Sequence, residues 1–189
     1  MSSNAIDKAA RIIRQGGVIA YPTEAVFGLG CDPKNGTAVR RVLTLKQRPI
    51  KKGLVLIAAE FSQFEPFIAP LSEEIREKLL RSWPGPITWL VPARRETSSL
   101  ICGQYRTLAI RVTAHPAASE LCRQAHTAII STSANLAGQP PCHTADRVKS
   151  VFGTSIDFIL DAPLGQSRTP TEIRDAISGE IIRHGNNSG

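Results

Sequence analysis

Two cations separated by one residue, Lys46 and Arg48, sit in the segment Leu45-Lys-Gln-Arg-Pro49. Lysine offers a mobile point charge and arginine a planar fork of donors, a combination suited to phosphate oxygens. Residues i and i+2 do not share a helix face. They can serve one ligand only where the chain leaves a helix, and Pro49 disfavours helix at the residue before it. Lys51 and Lys52 add charge close by. The same cations would equally suit a helix C-terminus with no ligand at all. A second segment, Ile130-Ser-Thr-Ser-Ala-Asn135, ends an apolar run in three hydroxyls and an amide and continues into Gly138-Gln-Pro-Pro141. At a strand end such groups hold phosphate oxygens, a ribose or an amino-acid carboxylate, or else satisfy a local turn. A third, Tyr21-Pro-Thr-Glu-Ala-Val-Phe-Gly-Leu-Gly30, places Thr23 and Glu24 at another strand end, before glycines that permit close backbone approach. Arg111 and Arg183 lie within the apolar runs Leu-Ala-Ile-Arg-Val and Glu-Ile-Ile-Arg-His. A central strand tolerates arginine only when it is paired. A ligand carboxylate or phosphate would supply the partner; an edge strand with a solvated guanidinium is the alternative.

Other chemistries find no support. There is no G-x-x-x-x-G-K-[ST], and Cys31-Asp-Pro33 breaks the dinucleotide fingerprint that Gly28 and Gly30 begin. No G-x-S-x-G elbow is present. The histidines at 115, 126, 143 and 184 form no H-x-x-x-H or H-x-E arrangement, and no nucleophilic triad is recognisable. Cys31, Cys102, Cys122 and Cys142 match no C-x-x-C or zinc template, and read as reduced, buried thiols. No protein-held metal is expected.

The elements that must position these residues follow from hydrophobic spacing. A helix begins at Asn4 as N-cap and stops at Gly16-Gly17. Val18–Tyr21 reads as a strand, followed by a loop containing Gly28 and Gly30. Thr37 caps a second helix that ends at 46–48. Leu54–Ala58, Ile87–Val91, Leu108–Val112 and Ala128–Ile130 read as buried strands, with Ile156–Leu160 and Glu180–Arg183 as later ones. Ser72, Pro116 and Thr144 begin three further helices. Residues 92–107 and the segment Ala162–Pro170 read as mobile loops. This pattern predicts one α/β domain over 1–185, an open twisted mixed sheet flanked by helices, with a disordered tail at 186–189. Neither Lys46 nor Arg48 is expected in the core.

The 189 residues include 23 Lys and Arg against 16 Asp and Glu, a formal net charge of +7 that favours anionic partners. No apolar stretch is long enough to span a membrane, and the N-terminus has no secretion signal.

In combination and in this order, Y-P-T-E-A-V-F-G-L-G-C-D (21–32), L-K-Q-R-P (45–49), W-P-G-P-I-T (83–88), L-A-I-R-V (108–112), S-T-S-A-N-L-A-G (131–138) and E-I-R-D (172–175) closely resemble the YrdC-type threonylcarbamoyl-AMP synthases. The match covers nearly the whole chain and looks like the short, single-domain bacterial form. The resemblance implies a YrdC-like fold with a basic concave cleft and a cytoplasmic nucleotidyltransferase. L-threonine, bicarbonate and ATP, with Mg²⁺ on its phosphates, would give L-threonylcarbamoyl-AMP and diphosphate. A tRNA threonylcarbamoyl transferase complex would then use the product to form N6-threonylcarbamoyladenosine in tRNAs reading ANN codons. By the same resemblance Lys46 and Arg48 would be catalytic. They would hold ATP together with Lys52, Thr107, Ser133, Asn135 and Arg183. Thr23, Arg111, Ser131 and Thr171 would hold threonine. Two positions depart from longer relatives: Ala25, where those carry a threonine, and Ile57, where they often carry histidine. Two competing readings are a non-catalytic module binding double-stranded RNA or tRNA, for which stacking aromatics are few, and a carbamoyl-handling paralogue of the same fold.

Overall fold

Ile6, Ala9, Ala10 and Ile13 recur at helical spacing and are all buried along α1 (Ser3–Arg14). The computed structural model describes residues 3–167 and 171–185; the expected tail at 186–189 and positions 168–170 of the expected mobile segment lie outside these. The remaining elements are β1 (Ile19–Pro22), β2 (Phe27–Gly30), α2 (Gly36–Leu45), β3 (Val55–Ala58), α3 (Glu73–Ser82), β4 (Ile87–Pro92), α4 (Ser99–Cys102), β5 (Thr107–Val112), α5 (Pro116–Ala125), β6 (Ile129–Ser133), α6 (Ala145–Phe152), β7 (Phe158–Ile159), β8 (Glu172–Asp175) and β9 (Ile181–Arg183).

The strands form one mixed sheet in the order β7-β1-β2-β6-β3-β5-β4-β8-β9. The pairs β1–β7, β3–β5 and β4–β8 are parallel and the others antiparallel. Helices cover both faces, as the expected fold class requires. On one face α1 and α5 bury Ile13, Leu121 and Cys122 against Ile19, Tyr21, Ile57 and Ile129. On the other, α2, α3, α4 and α6 bury Val39, Val42, Leu79, Ile101 and Phe152 against Leu29, Leu56, Ile110 and Ile130. Side chains alternate across β3 accordingly.

Capping explains most helix starts. Ser72 Oγ accepts from Ile75 N at 3.4 Å, and Thr144 Oγ1 from Arg147 N at 3.1 Å. Pro116 stands at the start of α5, capped by His115. Three expectations change. Asn4 lies inside α1. Asn35, not Thr37, caps α2, with its Oδ1 3.0 Å from Ala38 N. Residues 92–107 contain α4, whose Leu100, Ile101 and Cys102 are buried, so the middle of this stretch is a packed helical turn.

The segment at 27–30 is also a strand and not a loop. Its glycines meet a steric demand. A Cβ on Gly30 would lie 2.5 Å from the Ile130 carbonyl oxygen of β6 and 2.7 Å from the Tyr21 ring. The Tyr21 hydroxyl donates to that same carbonyl at 3.0 Å, so the missing side chain lets β2 carry the ring against β6. Gly30→Ala is expected to destabilise by about 1–3 kcal/mol, the usual cost of overpacking. Gly36→Ala should be nearly neutral, because its added Cβ would meet only Leu100 Cδ1, at 3.8 Å. Urea unfolding of the two variants checks the contrast.

Candidate active site

The face covered by α1 and α5 stays open beyond the N-terminal end of α5, and a cleft of about 460 Å³ occupies this end. Small side chains make its floor. Ser131 on β6 stands opposite Val55 on β3, and both line the cleft. Gly28 on β2 stands opposite Ser133. The apolar half of β6, Ile129 and Ile130, is fully buried, and its Ser-Thr-Ser half carries the strand out into the cleft. A larger hollow of about 580 Å³ lies within the β4–β5 connection, lined by Arg94, Arg95, Tyr105 and Arg106. It gathers residues of one connection only, whereas the cleft joins β2, β3, β5, β6 and β9 with Thr171, the residue before β8.

Lys46 and Arg48 exit α2 as the spacing required, and the immediate cause is Gln47. Its φ of 52° is left-handed and reverses the chain between the two cations. Lys46 is 5% exposed, contrary to its expected place outside the core. Its ammonium donates to the Ser133 carbonyl, to the Asn135 carbonyl at 3.0 Å and to Asn135 Oδ1 at 2.9 Å. These three acceptors match its three N–H donors. Ser133 Oγ donates to Asn135 Oδ1 at 2.6 Å, and Asn135 Nδ2 donates to the Leu136 and Gln139 carbonyls. Lys46, Ser133 and Asn135 are thus one network joining the end of α2 to the exit of β6. Of these, only Ser133 lines the cleft; Arg48 lines it too, with Nε held by the Gly53 carbonyl at 3.0 Å. Burial first, and then the charge of Arg48, lowers the Lys46 pKa to about 8.

Arg111 is buried on a central strand and paired, but with Glu24 of this chain. The sequence had left that partner to a ligand. Burial alone would raise the Glu24 pKa; the adjacent Arg111 charge, with hydrogen bonds from Arg111 and Thr113, outweighs it and holds the carboxyl below 4.5. Arg183 follows the edge-strand alternative and not the buried one. It is exposed on edge strand β9, and its Nη2 donates to the Thr171 carbonyl at 3.0 Å. Arg48 and Arg183 line the cleft together, and neither has a carboxylate within ion-pair distance among the described residues. Burial and then Arg183 depress the Arg48 pKa.

Thr23, Ser131 and Thr171 also line the cleft. The Thr23 hydroxyl is used on the Val26 carbonyl at 2.7 Å, and that of Thr171 on Thr88 Oγ1 at 3.0 Å. Lys52, in a 3₁₀ turn over Ile50–Lys52, and Thr107, at the start of β5, do not line it. Ala25 does, while Ile57 is fully buried beneath α1 and α5. Glu24 and His143 line the cleft without having been assigned a ligand. Only the position of Glu24 at a strand end hinted at it. The segment 162–167 is tied down: Gly165 N donates to Thr23 O and Ser167 N to Glu24 O, both at 3.0 Å.

A nine-stranded α/β domain with a cationic cleft at one helix end is the class that fold and site define. The sequence pattern of the Sua5/YciO/YrdC family, described as telomere recombination, matches residues 11–185, and the chain belongs to that family. A protein of Coxiella burnetii named threonylcarbamoyl-AMP synthase is 51% identical over 181 residues, 96% of this chain and 97% of its own. One of the same name from Nitrosococcus oceani is 53% identical, over 93% of this chain and 95% of its own. The crystal structure of P. abyssi Sua5 complexed with L-threonine is 33% identical, with a TM-score of 0.84; the match covers 90% of this chain and 50% of that longer one.

The Lys46 network generates a pH test. The ordinary lysine pKa is 10.5, and in the folded chain it falls to about 8. Between those values the unfolded chain binds more protons, so the stability owed to Lys46 rises with pH in that window and is constant below it. Urea unfolding of wild type and Lys46→Met from pH 7 to 11 should show their difference rising above pH 8. At pH 7 the variant, which leaves the Asn135 carbonyl without its donor and takes one donor each from the Ser133 carbonyl and Asn135 Oδ1, should be less stable by about 1–3 kcal/mol. A difference flat across the whole range would remove the assigned role.

Proposed function

We propose that this chain is a threonylcarbamoyl-AMP synthase, forming L-threonylcarbamoyl-AMP and diphosphate from L-threonine, bicarbonate or CO2, and ATP. The carrying observation is the one cleft lined both by two arginines without acidic partners and by a buried arginine whose charge is already balanced. The first pair suits a polyphosphate and the second an amino acid. Arg48 is anchored at Gly53, two residues before β3, and Arg111 stands opposite Ile57 inside β3, so the two enter the cleft at different points along it. Side chains converging from both ends leave room for an amino acid joined to an α-phosphate. Relatives of the same name at about half identity over nearly full length support the reading.

In the reaction the carboxylate of N-carboxythreonine forms a bond to the α-phosphorus of ATP, and the bond to the β-phosphate oxygen breaks, releasing diphosphate. Arg48, Arg183 and Ser133 hold the phosphates and offset their developing charge. Arg111 meets the threonine carboxylate, with Ser131, Thr23 and Thr171 around it. Lys46 and Asn135 act from beneath by holding Ser133. Mg²⁺ arrives on the ATP phosphates as part of the substrate. The product passes to a tRNA threonylcarbamoyl transferase complex that modifies tRNAs reading ANN codons. A cytoplasmic location accords with four free, buried cysteines. No helix among the described residues is long and apolar enough to cross a membrane.

Diphosphate release from ATP, with threonine and bicarbonate omitted in turn, tests the proposal. Release should require both. Release without threonine, or none with it, would overturn the reading, and salt-sensitive RNA binding without turnover would favour a binding module. Arg48→Ala should lower kcat/KM for ATP by about a hundredfold. Its melting temperature should stay near that of wild type, since Arg48 is only partly buried.

A further inference from the structure

Glu24 and Arg111 engage each other through one side of each group. Arg111 Nη1 donates to Glu24 Oε1, which also accepts from Thr113 Oγ1 at 2.6 Å and from Ala114 N at 3.2 Å. Glu24 Oε2 and Arg111 Nη2 make no hydrogen bond among the described residues. Arg111 Nε is the one side-chain nitrogen or oxygen sealed from solvent without a partner among those residues. Oε2 and Nη2, also without partners, are therefore open, and both residues line the cleft. Beside one another they present an open positive and an open negative atom.

This arrangement rejects a simple anion. A carboxylate approaching Nη2 also approaches Oε2, and Glu24 is the only acid lining the cleft among the described residues. A ligand bearing an ammonium next to its carboxylate satisfies both atoms at once, and an α-amino acid zwitterion is that ligand. We infer that Glu24 Oε2 seats the α-ammonium of the bound amino acid while Arg111 Nη2 takes its α-carboxylate. The inference rests on the threonine reading above and adds a binding residue to it. It also gives the site a direction. Ammonium and bicarbonate convert to a carbamate, water and a released proton, so positive charge at the nitrogen is replaced by a carboxylate. Glu24 then repels what it had attracted, and the new carboxylate is driven toward Arg48 and Arg183, where the phosphates lie.

Calorimetric titration with L-threonine and with (R)-3-hydroxybutyrate, which is threonine lacking the ammonium, tests this on wild type and Glu24→Gln. The glutamine keeps an acceptor for Arg111, Thr113 and Ala114 and replaces Oε2 by a donor. Wild type should bind threonine at least about tenfold more tightly than the hydroxy acid, the scale of one charge-assisted hydrogen bond. Glu24→Gln should lose about tenfold or more for threonine and nothing for the hydroxy acid, with ATP affinity unchanged. Equal losses for both ligands would make Glu24 only a counter-ion to Arg111 and overturn the inference. Equal affinities of the two ligands for wild type would overturn it without any variant. If wild type binds no threonine at all, the functional reading falls first and this inference with it.

Discussion

A single buried ammonium joins the two halves of the cleft. Lys46 leaves the end of α2, reaches the exit of β6, and donates to two carbonyls and an amide oxygen there. Backbone acceptors at and beyond the last paired residue of a strand need such a donor when they are partly buried. Ser133 then faces the cleft from a defined position, and Arg48, two residues beyond Lys46, is placed beside it. The arrangement separates two tasks that the sequence motif presents as one. Lysine supplies rigidity, and arginine supplies charge that a ligand can use.

Charge in the cleft is divided by the same logic. Arg111, deep in the sheet, could not be left unpaired, and Glu24 balances it from a loop 87 residues away in sequence. Arg48 and Arg183, nearer solvent, repel each other and are left for an incoming anion. The energetic reason is desolvation: a buried guanidinium without a partner is costly, while a partly hydrated one is not. The free positive charge therefore gathers at the end where polyphosphate would lie, and the compensated charge where an amino acid would.

Much of this was legible in the residues. Hydrophobic spacing identified most of the helices and strands, and Ser72, Pro116 and Thr144 marked three helix starts. The convergence of Lys46 and Arg48 was readable as a need, although its cause was the left-handed Gln47 and not the proline. What escaped has physical causes. β2 was read as a loop because glycines disfavour strands, yet here they are what lets Tyr21 and β6 approach. α4 is four residues long, too short for a periodic signal. β8 carries Glu172 and Arg174, paired with each other, and so lacks an apolar run. The partner of Arg111 is a long-range contact that local pattern does not encode. For the same reason, spacing alone could not tell that Arg183 lies at an edge and Lys46 in the interior.

The crossing from β7 to β8 deserves a mechanical reading. β7 forms one margin of the sheet, and β8 is the last strand but one at the opposite margin. The chain leaving β7 is held on its way: Leu160 N donates to the Ala20 carbonyl at 2.8 Å, and Ser167 N to that of Glu24 at 3.0 Å. Gly165 rides directly on the backbone of Glu24, where a Cβ would come within 2.7 Å of its Cα. The strand that ends at one margin of the sheet thus hands its chain to the backbone of the acid that lines the cleft, and the footing of that acid is shared between the β1–β2 turn and the segment after β7.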